Sequence, residues 1–160
     1  MKVLVAGIGN IFFGDDGFGV EVANRLLAET VPPGVKVEDF GIRGVHLAYE
    51  LLDGYDALVL IDALPMGESP GTVALIEPQI GETGGGGLDA HSMSPAVVLA
   101  MLAGLGGHVD RIVVVGCQPE NVDEGIGLSA VVTGAIDGAV RATKELLADI
   151  CGAVERKRTA

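Results

Sequence analysis

The stretch KVLVAGIGN at residues 2–10 decides the fold of this chain. Its first six residues are almost all apolar, as is typical of a strand buried on both faces of a parallel sheet. The runs ALVLI at 57–61 and TVALIE at 72–77 are predicted strands of the same kind. In an open parallel sheet the carboxyl ends of the strands form the crevice in which ligands bind. The loops that follow these three strands carry Asp16, Asp62 and His91, which are therefore expected to meet in that crevice.

Strands and helices alternate along the whole chain. The pattern predicts the α/β class, as a three-layer α/β/α domain with a twisted, mostly parallel five-stranded sheet. The strand at 72–77 is expected to run antiparallel, because the chain reaches it without a crossover helix. The predicted strands are 2–7, 35–40, 57–61, 72–77 and 111–116, and the predicted helices are about 17–29, 44–52, 95–105 and 130–151, the last two capped by Ser94 and Ser129.

Length and composition indicate one globular domain. The chain has 160 residues, of which 49% are hydrophobic and 20% are charged. We assign residues 1–154 to a single domain and residues 155–160 to a charged, frayed tail. No apolar run is long enough to cross a membrane, and residues 1–7 do not resemble an export signal.

The net charge indicates which kinds of partner the protein can bind, and the cysteine content indicates its cellular compartment. The formal net charge of −12 repels nucleic acid and anionic membranes, while it favours cations or a basic peptide. Cys117 and Cys151 have no CxxC spacing, which fits a reducing cytoplasm better than a disulfide scaffold. The sequence therefore predicts a cytoplasmic protein that binds neither nucleic acid nor membrane.

The loop after the first strand is similar to the start of a dinucleotide-binding fingerprint. Gly7 and Gly9 fit that pattern, but Phe12 stands where a third glycine is required. Asp15 and Asp16 would repel a phosphate at the start of the following helix. We therefore predict that the glycines serve a tight turn and a close approach of the backbone. A nucleotide-binding regulatory domain remains a competing hypothesis, and it requires a phosphate ligand at this loop.

The polar residues at the strand ends leave several interpretations open. One aspartate of the pair Asp15–Asp16 suffices as a helix N-cap, so the other is free to project into the crevice. Asp62 follows a strongly apolar strand and is either a metal ligand or an acceptor for loop N–H groups. Two carboxylates and the His91 imidazole would suit a divalent metal such as nickel or zinc. The other histidines, His46 and His108, are expected to be solvated.

These residues lie in blocks that resemble the maturation endopeptidases of [NiFe]-hydrogenases. The resemblance is collinear from about residue 3 to residue 150, and its most specific part is the opening GxGN…DDGxG block. The blocks are Gly7-Ile8-Gly9-Asn10, Asp15-Asp16-Gly17-Phe18-Gly19, Leu60-Ile61-Asp62-Ala63, Pro70-Gly71-Thr72, His91-Ser92-Met93 and Gly116-Cys117-Gln118-Pro119-Glu120.

The resemblance implies a protease that removes a short C-terminal extension from the hydrogenase large-subunit precursor after nickel has been inserted. The metal-binding positions of the family fall on Asp16, Asp62 and His91. Nickel would be supplied by the substrate, and no stored organic cofactor is implied. A non-catalytic nickel-binding maturation chaperone with the same site is the main alternative, since it would bind nickel without cleaving the precursor.

The chain departs from the family at the end of its second strand. An Asp-Gly-Gly-Thr stretch associated with substrate choice is often found there, and this chain has Asp39-Phe40-Gly41-Ile42. The sequence therefore leaves open which hydrogenase is the substrate. Asp39 is expected to line the crevice, and Gly41 would let the substrate tail approach the backbone.

Three mechanisms suit this set of side chains. A metal could polarise the scissile carbonyl and activate a water, or the two carboxylates could share a proton as an acid–base pair. The resemblance implies a third mechanism, in which nickel held by thiolates of the substrate is the recognition element. Asp16, Asp62 and His91 would then complete the ligand shell of that nickel. Cys117 is expected to be a buried structural thiol, because no local pattern supplies the base that a cysteine nucleophile needs. The glycine run at 84–87 is interpreted as a loop that orders on substrate binding.

Overall fold

One five-stranded sheet organises the computed structural model, which describes residues 1–78 and 95–158. Its strand order is β2-β1-β3-β5-β4, and β4 runs antiparallel to β5 while the other neighbouring strands are parallel. The strands are β1 Val3–Ile8, β2 Val35–Gly41, β3 Ala57–Ala63, β4 Val73–Ile76 and β5 Arg111–Cys117. The helices are α1 Phe18–Leu26, α2 Gly44–Leu51, α3 Pro95–Gly104, α4 Ala130–Thr133 and α5 Ile136–Arg158. The predicted class and the predicted antiparallel strand are both confirmed.

The three layers follow from apolar residues at consecutive positions of the central strands. Side chains alternate between the two faces of a strand, so a strand covered on both faces must be apolar throughout. In β1, Val3 and Val5 pack with Phe18 of α1 and with α5 on one face. Leu4 and Ala6 pack with α2 and α3 on the other face. All six residues of β1 and all seven of β3 are buried.

The C-terminal helix differs from its prediction at both ends. The sequence predicts one helix from 130 to 151, whereas the structure has the single turn α4, an interruption at residues 134–135, and then α5. Gly134 lies at the interruption, and glycine weakens a helix by about 1 kcal/mol relative to alanine. At the other end α5 continues to Arg158, so part of the predicted tail is helical. The division of the chain at residue 154 stays a prediction.

The first helix starts with a tighter turn than predicted. A single 3-10 turn at Gly14–Gly17 precedes α1, and α1 itself ends at Leu26 rather than near residue 29. None of the helices within residues 1–78 and 95–158 has the length and apolar character needed to cross a membrane.

Two glycines bring α1 into backbone contact with the sheet. A Cβ atom at Gly19 would overlap the carbonyl oxygens of Ile61 and Ile8, and one at Gly7 would overlap the carbonyl oxygen of Gly19. At these two glycines the backbone of α1 touches the backbones of β1 and β3 directly. The interpretation of the Gly7 loop as a close backbone approach is confirmed.

Replacing Gly19 by alanine is expected to destabilise the protein by about 3 kcal/mol or more, since rigid backbone surrounds the added methyl group. Urea unfolding at pH 7 would measure the change. Gly138→Ala is the matched control, because no atom lies within 4 Å of a Cβ at that helical position. A Gly19→Ala protein as stable as the Gly138→Ala protein would contradict the close contact.

Candidate functional site

Parallel pairing brings the carboxyl ends of β1, β3 and β5 to one edge of the sheet. Asp62 is the penultimate residue of β3, which ends at Ala63, and it pairs in register with Gly116 of β5. Asp16 lies in the 3-10 turn that follows β1. The structure therefore brings the two predicted carboxylates to the same crevice, and the charge of Asp16 acts directly on Asp62.

Asp62 is a buried carboxylate with an unsatisfied oxygen. Its exposed fraction is 3%, and its Oδ1 atom has no hydrogen-bond partner among the residues that the structure describes. Burial and the negative charge of Asp16 raise the pKa of Asp62 well above its ordinary value, against the opposing effect of the Ala63 N–H group. A buried carboxylate oxygen without a hydrogen-bond donor is costly, so a proton or a cation at Oδ1 would relieve the cost.

The loop between β1 and α1 folds back on itself and fixes the orientation of Asp16. The Asn10 N–H group donates a hydrogen bond of 2.7 Å to Oδ2 of Asp16. Asn10 in turn accepts the Phe12 N–H group at 2.9 Å through its own Oδ1 atom. Gly9 has a φ of +132°, and a Cβ there would overlap the Asp16 carbonyl oxygen, so only glycine fits. Sequence reasoning assigned Asn10 no role, although its place directly after Gly9 was a usable signal.

Asp15 differs from its expected role as a helix cap. Neither the 3-10 turn nor α1 has a side-chain cap, and the fully buried carboxylate of Asp15 instead binds a distant loop. It accepts hydrogen bonds from the N–H groups of Glu120, Asn121 and Ser129 and from the Ser129 hydroxyl, at 2.7–3.0 Å. Burial alone would raise the pKa of Asp15, but these hydrogen bonds outweigh it and lower the pKa. The pair is thus divided between a structural Asp15 and an Asp16 at the crevice.

The two predicted substrate contacts line one cleft. Asp39 and Gly41 border a cavity of about 280 Å³ together with Asn10, Phe12 and Arg43. Gly41 has a φ of +53°, and a Cβ there would have no atom closer than 3.7 Å. Arg43 donates hydrogen bonds to the carbonyl oxygens of Asp39 and Phe40, so its side chain braces the end of β2.

The loops on the far side of the crevice are joined by Gln118, which sequence reasoning passed over. Its side-chain Oε1 accepts the N–H group of Met66, and its backbone N–H group donates to Thr72 at 2.9 Å. Since Met66 follows β3 and Thr72 precedes β4, one side chain ties the segment after Asp62 to the end of β5. Its place in the block Gly116–Glu120 was the available signal.

One cysteine and two histidines were predicted to have no part in the site. Cys117 is fully buried, and burial together with the charge of Asp15 raises its pKa to about 11, so it is a structural thiol. His46 is exposed, and the exposed His108 ring pairs with Asp110 at 2.8 Å. Both histidines are solvated, as predicted.

His91 falls outside the described residues, as do Ser94 and the glycine run at 84–87. Within residues 1–78 and 95–158, no three His, Cys, Asp or Glu side chains cluster as a metal site requires. A three-ligand site that includes Asp16 and Asp62 thus needs a ligand from another part of the chain, and residues 79–94 contain His91.

The paired carboxylates and the occupied Asn10 N–H group limit which ligands the crevice can bind. The pair Asp16–Asp62 offers carboxylate oxygens to a cation, or it can hold one proton between two acids. The Asn10 N–H group, which a phosphate would need at the glycine loop, is already bound to Asp16. The geometry therefore favours a cation or a proton at this edge over a nucleotide.

Replacing Asp15 by asparagine should destabilise the protein by about 2 kcal/mol at pH 7, since an amide nitrogen cannot accept the loop N–H groups. The pKa of Asp15 is lower in the folded chain than its ordinary 3.8, so its carboxylate stabilises the fold above that pH. This stabilisation is lost as the pH falls through the lowered pKa, so the difference in stability between the two proteins should shrink at pH values below 3.8. Urea unfolding at pH 7 and at a pH below 3.8 would measure the stability of each protein, with the exposed Asp123→Asn as control. An equal loss of stability at the two pH values would contradict the prediction.

Replacing Asp62 by asparagine should have the opposite effect on the metal-free protein. Because the pKa of Asp62 is raised on folding, ionisation of this group removes stability as the pH rises above the ordinary 3.8. Asp62→Asn should therefore be more stable than the natural chain at pH 8 by about 1–2 kcal/mol, and the gain should vanish near pH 4. Urea unfolding with a chelator present is the measurement. A loss of stability at pH 8 would show that the carboxylate is well solvated.

Comparison with known proteins agrees with this geometry. The family model for the HycI hydrogenase maturation protease matches residues 20–145. The putative hydrogenase maturation protease of Methanocaldococcus jannaschii is 34% identical over 146 residues, which cover 86% of this chain and 91% of that protein. The hydrogenase expression/formation protein HupD of Rhodobacter capsulatus is 35% identical over 153 residues, which cover 92% of this chain and 72% of that protein.

Solved structures share the fold across almost the whole chain. The hydrogenase maturating endopeptidase HybD from Escherichia coli superposes with a TM-score of 0.76 at 26% identity and covers 93% of both chains. The [NiFe] hydrogenase maturation protease HybD from Thermococcus kodakarensis has a TM-score of 0.65 at 29% identity, covering 92% of this chain and 99% of that one. The resemblance inferred from the sequence blocks is confirmed, and the chain belongs to the hydrogenase maturation protease family.

Proposed function

We propose that this protein is an endopeptidase that removes the C-terminal extension of a [NiFe]-hydrogenase large-subunit precursor once nickel has been inserted. The observation that carries the proposal is the Oδ1 atom of Asp62, which has no hydrogen-bond partner among the described residues and is buried beside Asp16 at the carboxyl edge of the sheet. Membership of the hydrogenase maturation protease family supplies the class of substrate and of reaction.

In this proposal Asp16, Asp62 and His91 act on nickel that the precursor already holds. Oδ2 of Asp16 accepts the Asn10 N–H group, and the Asp16 carboxylate would offer an oxygen to the metal. Asp62 lies at the end of β3 and would offer its Oδ1 atom, and His91 would add a nitrogen ligand. Nickel held in this way would act as a Lewis acid and as a reference point that positions the scissile bond.

Two ways of moving the protons remain open to the chain's own residues. In the first, the raised pKa of Asp62 lets it keep a proton for the leaving amine while Asp16 accepts one from the attacking water. In the second, both carboxylates stay ionised because they bind the metal, and water delivers the proton. In the first the metal only positions the scissile bond, whereas in the second the proton transfers also depend on the bound metal.

The substrate tail is assigned to the cleft that Asp39 and Gly41 line. This cleft begins at Asn10 and Phe12, on the loop that carries Asp16, so a peptide bound there would pass the crevice. We also propose that the protein works in the cytoplasm, and that it needs neither membrane nor nucleic acid.

The proposed function is tested by incubating the purified protein with precursor large subunit, either loaded with nickel or free of it, and following the precursor's C-terminus by mass spectrometry. Loss of a short tail from the loaded precursor alone is expected. Cleavage of both forms would keep the protease and remove the nickel requirement. Nickel binding without cleavage would favour the maturation chaperone instead.

Asp16→Asn, Asp62→Asn and His91→Ala should each slow cleavage of the loaded precursor by roughly 100-fold or more, as is usual for a group that moves a proton or positions the reacting bond. The matched controls are Asp110→Asn and His46→Ala, both at exposed positions, which should cleave at the natural rate. Normal rates in Asp62→Asn and His91→Ala would refute the assigned site.

A further inference from the structure

Four large apolar side chains stand exposed next to the crevice. The exposed fractions are 42% for Ile11, 57% for Phe12, 43% for Phe13 and 79% for Ile126. We call these four residues the apolar ridge. Ile126 is the most exposed large apolar side chain in the part of the chain that the structure describes. Exposed apolar groups that lie together, rather than singly, are characteristic of surfaces that bind partners.

The ridge is formed by two loops whose backbones pair with each other. The Gly125 N–H group donates to the Phe12 carbonyl oxygen at 2.8 Å, and the Gly14 N–H group donates to the Gly125 carbonyl oxygen at 2.8 Å. Phe13 and Gly125 form an isolated parallel bridge. The loop at 120–129 therefore continues the loop at 10–14 as one surface.

Buried hydrogen bonds hold the ridge in place. Asp15, with no solvent exposure, anchors the same loop through its four hydrogen bonds to Glu120, Asn121 and Ser129. The Asp15 N–H group adds a fifth, to the carbonyl oxygen of Asn121 at 2.9 Å. These hydrogen bonds fix the backbone of the two loops that carry the exposed apolar side chains. A partner therefore meets a preformed surface, and binding costs little conformational entropy in these loops.

The ridge is continuous with the proposed substrate cleft. Ile11 and Phe12 line that cleft beside Asp39 and Gly41. Ile11 also lines a second cavity, of about 260 Å³, together with Ile126. A polypeptide that lies in the substrate cleft can therefore extend across the ridge without leaving the surface.

Charge decides what kind of polypeptide fits. Three carboxylates, from Glu120, Asp123 and Glu124, line a cavity that Ile126 borders. The sequence has no Lys or Arg from residue 3 to residue 24 or from residue 112 to residue 140, the two stretches that contain the ridge. A second copy of this chain carries the same charge of −12 and would be repelled. An apolar segment flanked by Lys or Arg would be attracted.

We propose that the apolar ridge docks a basic, apolar segment of the hydrogenase large-subunit precursor that lies outside the cleaved tail. This inference rests on the proposed function for the identity of the partner. Recognition would then use two contacts: the metal and tail in the crevice, and the body of the precursor on the ridge. The ridge would contribute to the affinity for the precursor, while the chemical step would depend on the crevice.

The test uses steady-state cleavage of the nickel-loaded precursor from the same organism, together with its equilibrium binding to an Asp62→Asn protein. Ile126→Ser and Glu124→Lys, in each background, are expected to raise KM and Kd about 10-fold while kcat changes less than twofold. Binding should also weaken as salt is added, because the charges are solvent-exposed. Leu27→Ser is the matched control, since Leu27 is 58% exposed and follows α1, at the opposite edge of the sheet.

Unchanged KM and Kd in both ridge variants would overturn the inference, even if the natural chain cleaves normally. A fall in kcat with an unchanged KM would also overturn it, because the ridge would then belong to the chemistry. Loss of a self-associated form in Ile126→Ser, seen by sedimentation with precursor binding unaffected, would assign the ridge to a second copy. If the natural chain binds the precursor through the ridge without cleaving it, the docking stands and the proposed function fails.

Discussion

The contact between the backbones of α1 and the central strands is the constraint on which the site depends. Because Gly19 lies against the carbonyl oxygens of Ile61 and Ile8, the start of α1 is pressed onto the carboxyl ends of β1 and β3. The chain has only the few residues from Gly9 to Gly17 in which to turn, and that tight loop carries both Asp15 and Asp16. A larger residue at this contact would lift the helix and carry Asp16 away from Asp62.

A division of labour between neighbouring acids follows from this arrangement. Asp15 points inward and is satisfied by four donors, so it stays ionised as a structural group. Asp62 is equally buried but has an oxygen with no donor among the described residues, and its pKa moves in the opposite direction. Burial alone therefore does not decide whether the pKa of a carboxylate falls or rises, because the hydrogen-bond donors and charges beside it also act.

The sequence predicted the sheet well because its signals are local. Leu58 to Ile61 are buried on both faces, and the strand at 73–76 is reached without a helix, so the fold class and the antiparallel direction of that strand followed from the pattern. The end of α4 was missed since the apolar pattern continues through Gly134. The role of Asp15 could not be predicted, because its donors lie 105 to 114 residues away in the sequence. Only the folded chain shows that one distant loop binds one of the two adjacent aspartates.

That sequence separation has a consequence for how the protein becomes competent on the ribosome. The donors that stabilise the Asp15 carboxylate belong to Glu120, Asn121 and Ser129, in the last third of the chain. While the nascent chain is shorter than this, Asp15 has no partners, and the loop that carries Asp16 lacks the anchor that sets its shape. At about 5–20 residues per second, the emerging N-terminal half would spend several seconds without a finished crevice. Translation itself thus postpones proteolytic competence until almost the entire polypeptide has been made.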